Sequence, residues 1–286
     1  MKQYQRFTQR FLLLLTPWIA SSLLAASPSQ AASLALSEGE VELTRLSQNP
    51  SVTGTETDSN TVTIANDGMV DAFANAEATF IVTSPTASNS SLSLSFGEGR
   101  DYLGLAESEA TVIGSFDVDA GTPFSFDFTA DLTLATSTDN PSEENARAAG
   151  DISLALINNA DDSILDFFNL TGNLNTPGDD DFIAYQQSDS ITLSNLVTTS
   201  DFEGNQESAT VSIQGSLQSS FANTTNLTLI EVKRNQARVA TVPEPSNCST
   251  CLAILFSSSV IGIVLKGKRK EKTSVCLLGR IVATEV

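Results

Sequence analysis

The fold is decided by Phe124-Ser125-Phe126-Asp127-Phe128-Thr129-Ala130-Asp131-Leu132-Thr133-Leu134. Apolar and polar residues alternate strictly along it. Wound as a helix, the stretch would carry Asp127 and Asp131 round into the apolar side. As a strand it keeps every polar residue on one face and every apolar residue on the other. The spacing therefore predicts a strand with Phe124, Phe126 and Phe128 turned inward and both aspartates turned outward.

The same period recurs on either side. Val70, Ala72, Ala74, Ala76, Ala78, Phe80 and Val82 share one parity, with Asp71, Asn75, Glu77 and Thr79 on the other. The small alanines imply a closely packed facing layer. Further strands are expected at Leu92-x-Leu94-x-Phe96, Phe116-x-Val118, Ala146–Leu156, Ile191–Leu196, Val211–Phe221 and Leu227–Val232. Ser163–Leu170, with its paired apolar residues, fits one or two helical turns or a strand buried on both faces. Turn formers lie between: Asp67-Gly68, Glu98-Gly99, Asn140-Pro141, Asn158-Asn159, Pro177-Gly178 and Glu203-Gly204. About ten strands with antiparallel-type alternation make the expected fold class all-β, a β-sandwich or jelly-roll-like domain over residues 32–240.

Both ends differ from this middle. Lys2, Arg6 and Arg10 precede an apolar run, Phe11–Ala26, and small residues follow at Ser29-Gln30-Ala31. That order reads as a secretory signal peptide over residues 1–31; a retained anchor is the alternative. Near the other end stands Val242-Pro243-Glu244-Pro245-Ser246. Each proline fixes its own φ and pushes its predecessor out of the α region, so Glu244 is held extended. An apolar run of about 18–20 residues to Leu265 has the length a membrane-crossing helix needs. Lys266, Lys268, Arg269 and Lys270 then set its orientation, with the basic end cytoplasmic.

Motif (242–246), helix (247–265) and basic cluster (266–270) together resemble the PEP-CTERM sorting signal of exported bacterial proteins. The resemblance covers residues 241–270 alone. It implies cleavage near the motif by an exosortase-type membrane protease, and delivery to the cell surface or an exopolysaccharide matrix. The chain departs from the family pattern in its tail, 271–286, which runs on past the basic cluster as a cytoplasmic extension. An ordinary single-pass anchor with a proline-rich stalk is the alternative.

Charge and composition narrow the function classes. The chain has 286 residues and a formal net charge of −19. Between residues 32 and 240 there are 31 acids and 6 bases, near −25. Such a surface repels phosphates, so nucleic acid is not expected as a partner. The expected partners are the sorting protease, an exopolysaccharide and, before processing, the membrane. Histidine is absent, which removes Ser-His-Asp and Cys-His machinery and His-based metal sites. Cys248, Cys251 and Cys276 all lie outside 32–240, so no disulfide framework is available there. Phe96-Gly97-Glu98-Gly99-Arg100 lacks the lysine of a phosphate loop. No catalytic residue and no cofactor is expected. Ca²⁺ is the one chemical candidate, at Asp179-Asp180-Asp181, with Asp161-Asp162 and Asp117-x-Asp119-x-Gly121 as fragments of acidic loops. Turn-forming, solvated aspartates are the plainer reading of all three.

The resulting expectation is an exported, non-enzymatic surface or matrix protein. The alternatives are a carbohydrate- or Ca²⁺-dependent binding module, marked by a groove with exposed aromatics, and a glycan hydrolase using two carboxylates.

Overall fold

A computed structural model describes residues 32–241. The sorting motif, the basic cluster, the signal peptide and the C-terminal helix expected from the sequence lie outside the described residues.

Ten strands and no helix make up the described chain. They are β1 (Ala32–Thr44), β2 (Val52–Ile81), β3 (Thr86–Val118), β4 (Pro123–Thr138) and β5 (Glu144–Asn158). β6 (Ser163–Thr176), β7 (Phe182–Gln187), β8 (Ile191–Asp201), β9 (Gln206–Ser220) and β10 (Thr225–Thr241) follow. Every pairing is antiparallel, in the order β7-β6-β5-β10-β3-β1-β4-β9-β8, with β2 along the other edge of β3. Ser163–Leu170 is strand, and alternation from Asp166 to Leu170 puts Asp166, Phe168 and Leu170 on the buried face.

β3 explains how one sheet encloses a core. Its first half, Ala87–Glu98, pairs with β1, and its second half, Leu103–Val118, pairs with β10. β2 accompanies it throughout. Between the halves the β2–β3 hairpin turns a corner, where Gly68 faces Gly99 and Asp67 faces Arg100. Gly99 has φ +95° and Asp101 φ +52°, in the left-handed region. A Cβ on Gly68 would lie 2.5 Å from the Glu98 carbonyl oxygen. The two dipeptides Asp67-Gly68 and Glu98-Gly99 are thus not loops between strands. They are the two sides of one fold line, and glycine is needed there because backbone meets backbone. The other four expected turns do connect successive strands.

Beyond the corner the sheet folds over on itself, close to a flattened barrel. One layer holds β8, β9, β4, β1 and the first half of β3; the other holds the second half of β3, β10, β5, β6 and β7. Side chains cross between them: Ser37 Oγ donates to the Ala149 carbonyl at 2.7 Å, and Thr136 and Thr176 hydroxyls lie 2.6 Å apart. Phe124, Phe126 and Phe128 all face inward, each at most 2% exposed, and Asp127 and Asp131 lie on the opposite face. The ring of Phe116 meets Phe124, and that of Phe128 meets Phe168, each with centroids 4.9 Å apart in tilted geometry. Both pairs join one layer to the other, the arrangement aromatic quadrupoles favour.

One expectation changes in detail, and one strand shows a face that its spacing leaves open. The Val70–Phe80 parity is correct, but those side chains are only half-buried, because β2 has no strand beyond it. In Leu92-x-Leu94-x-Phe96 the apolar residues face outward, where they pack with Leu34, Leu36 and Ala135. Ser91, Ser93 and Ser95 take the interior.

Candidate functional site

β10 runs through the middle of the sheet and shows different chemistry on its two faces. Arg234, Gln236 and Arg238 point outward; Glu231, Lys233 and Asn235 point inward.

The outward face forms a shallow groove of about 690 Å³, lined by Asp58, Asn60, Glu107, Glu109, Asp151, Arg234 and Gln236 among others. Register places these residues. Asp58, Glu109, Arg234 and Asp151 follow one another straight across β2, β3, β10 and β5, and Asn60, Glu107, Gln236 and Ala149 do the same one step along. Ala149 is also shared with a second depression that includes Arg147, Asn173 and Phe182, so the face is continuous as far as β7. The side chains are tied to one another. Arg234 donates to both oxygens of Glu109, at 2.9 and 3.2 Å, in a fork geometry. Gln236 donates to Glu107 at 2.8 Å, and Arg147 to the Asn173 side-chain carbonyl at 2.8 Å. Partial burial pushes the Asp151 carboxyl above its usual range, against the Ser153 hydroxyl and Arg234. Phe182 is the one exposed aromatic on this face, 46% exposed at the rim.

The inward face holds a polar seam, in an interior that elsewhere also buries Glu144, Asp166, Thr136, Thr176 and Glu207. Lys233 is fully buried, Glu231 is 1% and Asn89 3% exposed. Lys233 Nζ donates to the Asn89 backbone carbonyl at 2.8 Å and to Asn89 Oδ1 at 2.7 Å. Asn89 Nδ2 in turn donates to Glu231 Oε2. The other Glu231 oxygen, Oε1, has no hydrogen-bond partner. A Cβ on Gly39 would lie 2.6 Å from Lys233 Cδ, so the bare backbone of β1 is what admits the lysine stem. Burial pushes Glu231 up to about 8 and Lys233 down to about 8. For Lys233, burial outweighs the attraction of Glu231, Glu40, Glu38 and Asp131. Ser93 and Ser108, linked at 2.9 Å, extend the seam, and it separates the phenylalanine core from a smaller cluster of Ala35, Tyr102, Ala106, Ala146, Ala237 and Val239.

The acidic loops at Asp161 and Asp179–Asp181 are held by their own hairpins, and Asp117 is held across the sheet from β10. Asp181 Oδ1 accepts from the Asn175 amide at 2.7 Å and Asp180 Oδ1 from Asn175 Nδ2 at 2.9 Å. Asp161 accepts from Ser163, and Asp117 from Asn226. Among the described residues, no three or more Asp, Glu, His or Cys side chains converge as metal ligands do.

Neither the groove nor the seam is singled out by residue type. The seam does have a signal: the alternation Leu227, Leu229 resumes at Ala237 and Val239, which places Glu231, Lys233 and Asn235 on the inward parity. No protein-family model matches the chain, and neither a curated protein nor a solved structure is significantly similar to it.

Proposed function

We propose that the chain is an exported surface or matrix protein whose β-sandwich-like body is carried to its destination by a PEP-CTERM/exosortase system and performs no catalysis itself. The observation that carries this reading is the handover at the end of β10. This central strand runs to Thr241, and Val242-Pro243-Glu244-Pro245-Ser246 starts at the next residue. A motif so placed has a folded, acidic body on one side and the apolar run on the other. In this reading the sorting protease supplies the covalent chemistry at the motif, and Lys266, Lys268, Arg269 and Lys270 hold the height of the cleavage point above the membrane. The non-enzymatic part is supported by the groove, where Glu107 and Glu109 are engaged by Gln236 and Arg234.

The test is a pair of variants in a host that carries the sorting enzyme. Glu244→Gln and Pro243→Ala are expected to leave insertion intact and block processing, so the chain stays in the membrane fraction at its larger mass. If both variants are processed like the wild type, the motif is a mere stalk and the reading fails.

One observation favours a second reading, a glycan-binding module. The groove presents amides, carboxylates and guanidinium groups in ladders beside Phe182, the mix of polar groups and one apolar ring that a sugar needs. Titration with neutral exopolysaccharide fragments tests it: binding lost in Arg147→Ala supports it, and no binding by the wild type removes it.

A further inference from the structure

Asn89, Glu231 and Lys233 meet between the layers, and neither the sorting signal nor the groove uses them. They are an amine, a carboxamide and a carboxyl group shut away from water. We propose that Lys233 and Asn89 become joined by an intramolecular isopeptide bond, with Glu231 carrying the proton.

The chemistry follows from the geometry. An amine attacks a carbonyl only as the free base, and removing a lysine from water is a way to obtain it. Lys233 is fully buried. Its Nζ lies 2.7 Å from Asn89 Oδ1, and the carbon to be attacked, Cγ, is the atom bonded to that oxygen. Holding the two groups in contact replaces an encounter by a step within one molecule. Glu231 touches the leaving group, since Nδ2 donates to its Oε2, while its Oε1 has no partner. Burial favours the protonated form of Glu231 and the neutral form of Lys233, the two states the step requires.

The bond that forms is Nζ–Cγ, and the bond that breaks is Cγ–Nδ2. Nζ adds to Cγ and gives up a proton to the Glu231 carboxyl group. Glu231 gives its own proton to Nδ2, which departs as ammonia, and the carboxyl group is restored. No oxidant, metal or further reactant is consumed. The result is a secondary amide linking the first half of β3 to β10, positions 144 residues apart. It would act as a disulfide does, by restricting the unfolded chain, in a stretch that contains no cysteine. Gly39 fits the same purpose: a side chain there would occupy the path of the lysine stem.

Peptide mass mapping of the purified full chain tests the proposal, because processing at either end leaves the relevant peptides untouched. Trypsin cuts at Arg45 and Arg100 on one side and at Arg147 and Arg234 on the other. The expected product is a branched peptide, 46–100 joined to 148–234, lighter than the two together by one ammonia, with no cut after Lys233. Asn89→Asp is expected to give the same branch with loss of water instead. Glu231→Gln is expected to abolish the branch while the chain keeps its β-type circular dichroism, and Lys233→Met removes the nucleophile. A branch that still forms in Glu231→Gln overturns the role of Glu231, and the wild-type result can overturn the bond itself. Recovery of a linear 46–100 from the folded chain does so, whether at full mass, deamidated, or lighter by one ammonia through closure of Asn89 onto its own backbone.

Discussion

Phe126 and Lys233 are both shut away from solvent; residue type and spacing together announce the first, and only the parity of the flanking apolar residues announces the second. Phe126 is 1% exposed in the core where Phe124 meets Phe116. Phe126→Ala should cost about 3–5 kcal/mol, the range for truncating a buried phenylalanine, and urea unfolding measures it. Its register was legible because Asp127 and Asp131, each set between two apolar residues, leave a strand no choice of face. Lys233 and Arg234 look alike in the sequence, yet strand parity sends one inward and the other to the surface. Arg234→Ala removes a pair whose partners are 41% and 42% exposed, so its cost should stay below about 1 kcal/mol. Glu231 yields a pH prediction. Burial pushes its folded-state value from 4.5 up to about 8. Between those values the folded chain holds a proton that the unfolded chain releases. Stability contributed by this group is therefore fully present below about 4.5 and is lost as the pH rises towards about 8. The urea midpoint of the wild type should fall across that window, and Glu231→Gln should flatten the fall.

The β2–β3 hairpin shows where element-level reading succeeds and where it fails. Asp67-Gly68 and Glu98-Gly99 carry the residues of a turn, because a corner inside a long strand needs the same freedom as a turn between two strands. Nothing local tells them apart; the difference is the partner across the hairpin. Gly99→Ala should cost roughly 2–4 kcal/mol, since it combines a left-handed φ with a Cβ placed 2.9 Å from Gly68 Cα. Gly121→Ala shares the positive φ but opens onto empty space, and about 1–2 kcal/mol is expected. Equal costs in parallel denaturation curves would remove the corner's special role. The inversion of Ser91–Phe96 has a similar cause. Serine is small and forms hydrogen bonds, so it can face a close-packed layer: Ser93 donates to the Asn235 carbonyl at 3.0 Å. The displaced leucines find Leu34 and Leu36 on the outer face. Alternation reveals a two-faced strand, but which face lies inside depends on neighbours far away in the chain. The first half of β2 is exposed on both faces from Thr55 to Met69 and carries Glu56 and Asp58, charges that discourage pairing with another sheet.

At the scale of the molecule, the described chain is a single antiparallel sheet closed over two apolar clusters and a polar seam. The all-β class was legible, because the period of two persists through the chain; the division into strands was less so, since Leu92–Phe96 and Phe116–Val118 are one strand, β3, and neither β1 nor β7 was expected. The closure was not, because it depends on one strand serving both layers. The groove was not legible either, since Glu107, Arg234, Gln236 and Asp151 converge only through register. Residues 32–240, at 31 acids to 6 bases, give a body that should stay dispersed among acidic polymers and bind basic surfaces in a salt-sensitive way. Delivery by the sorting motif is the central proposal, and the C-terminal mass of wild-type protein recovered from the surface of a host that carries the sorting enzyme tests it most directly. The expected result is a chain that ends near Pro243-Glu244-Pro245 and lacks everything beyond Leu265. A surface-recovered chain that still carries Lys266–Lys270 would contradict it.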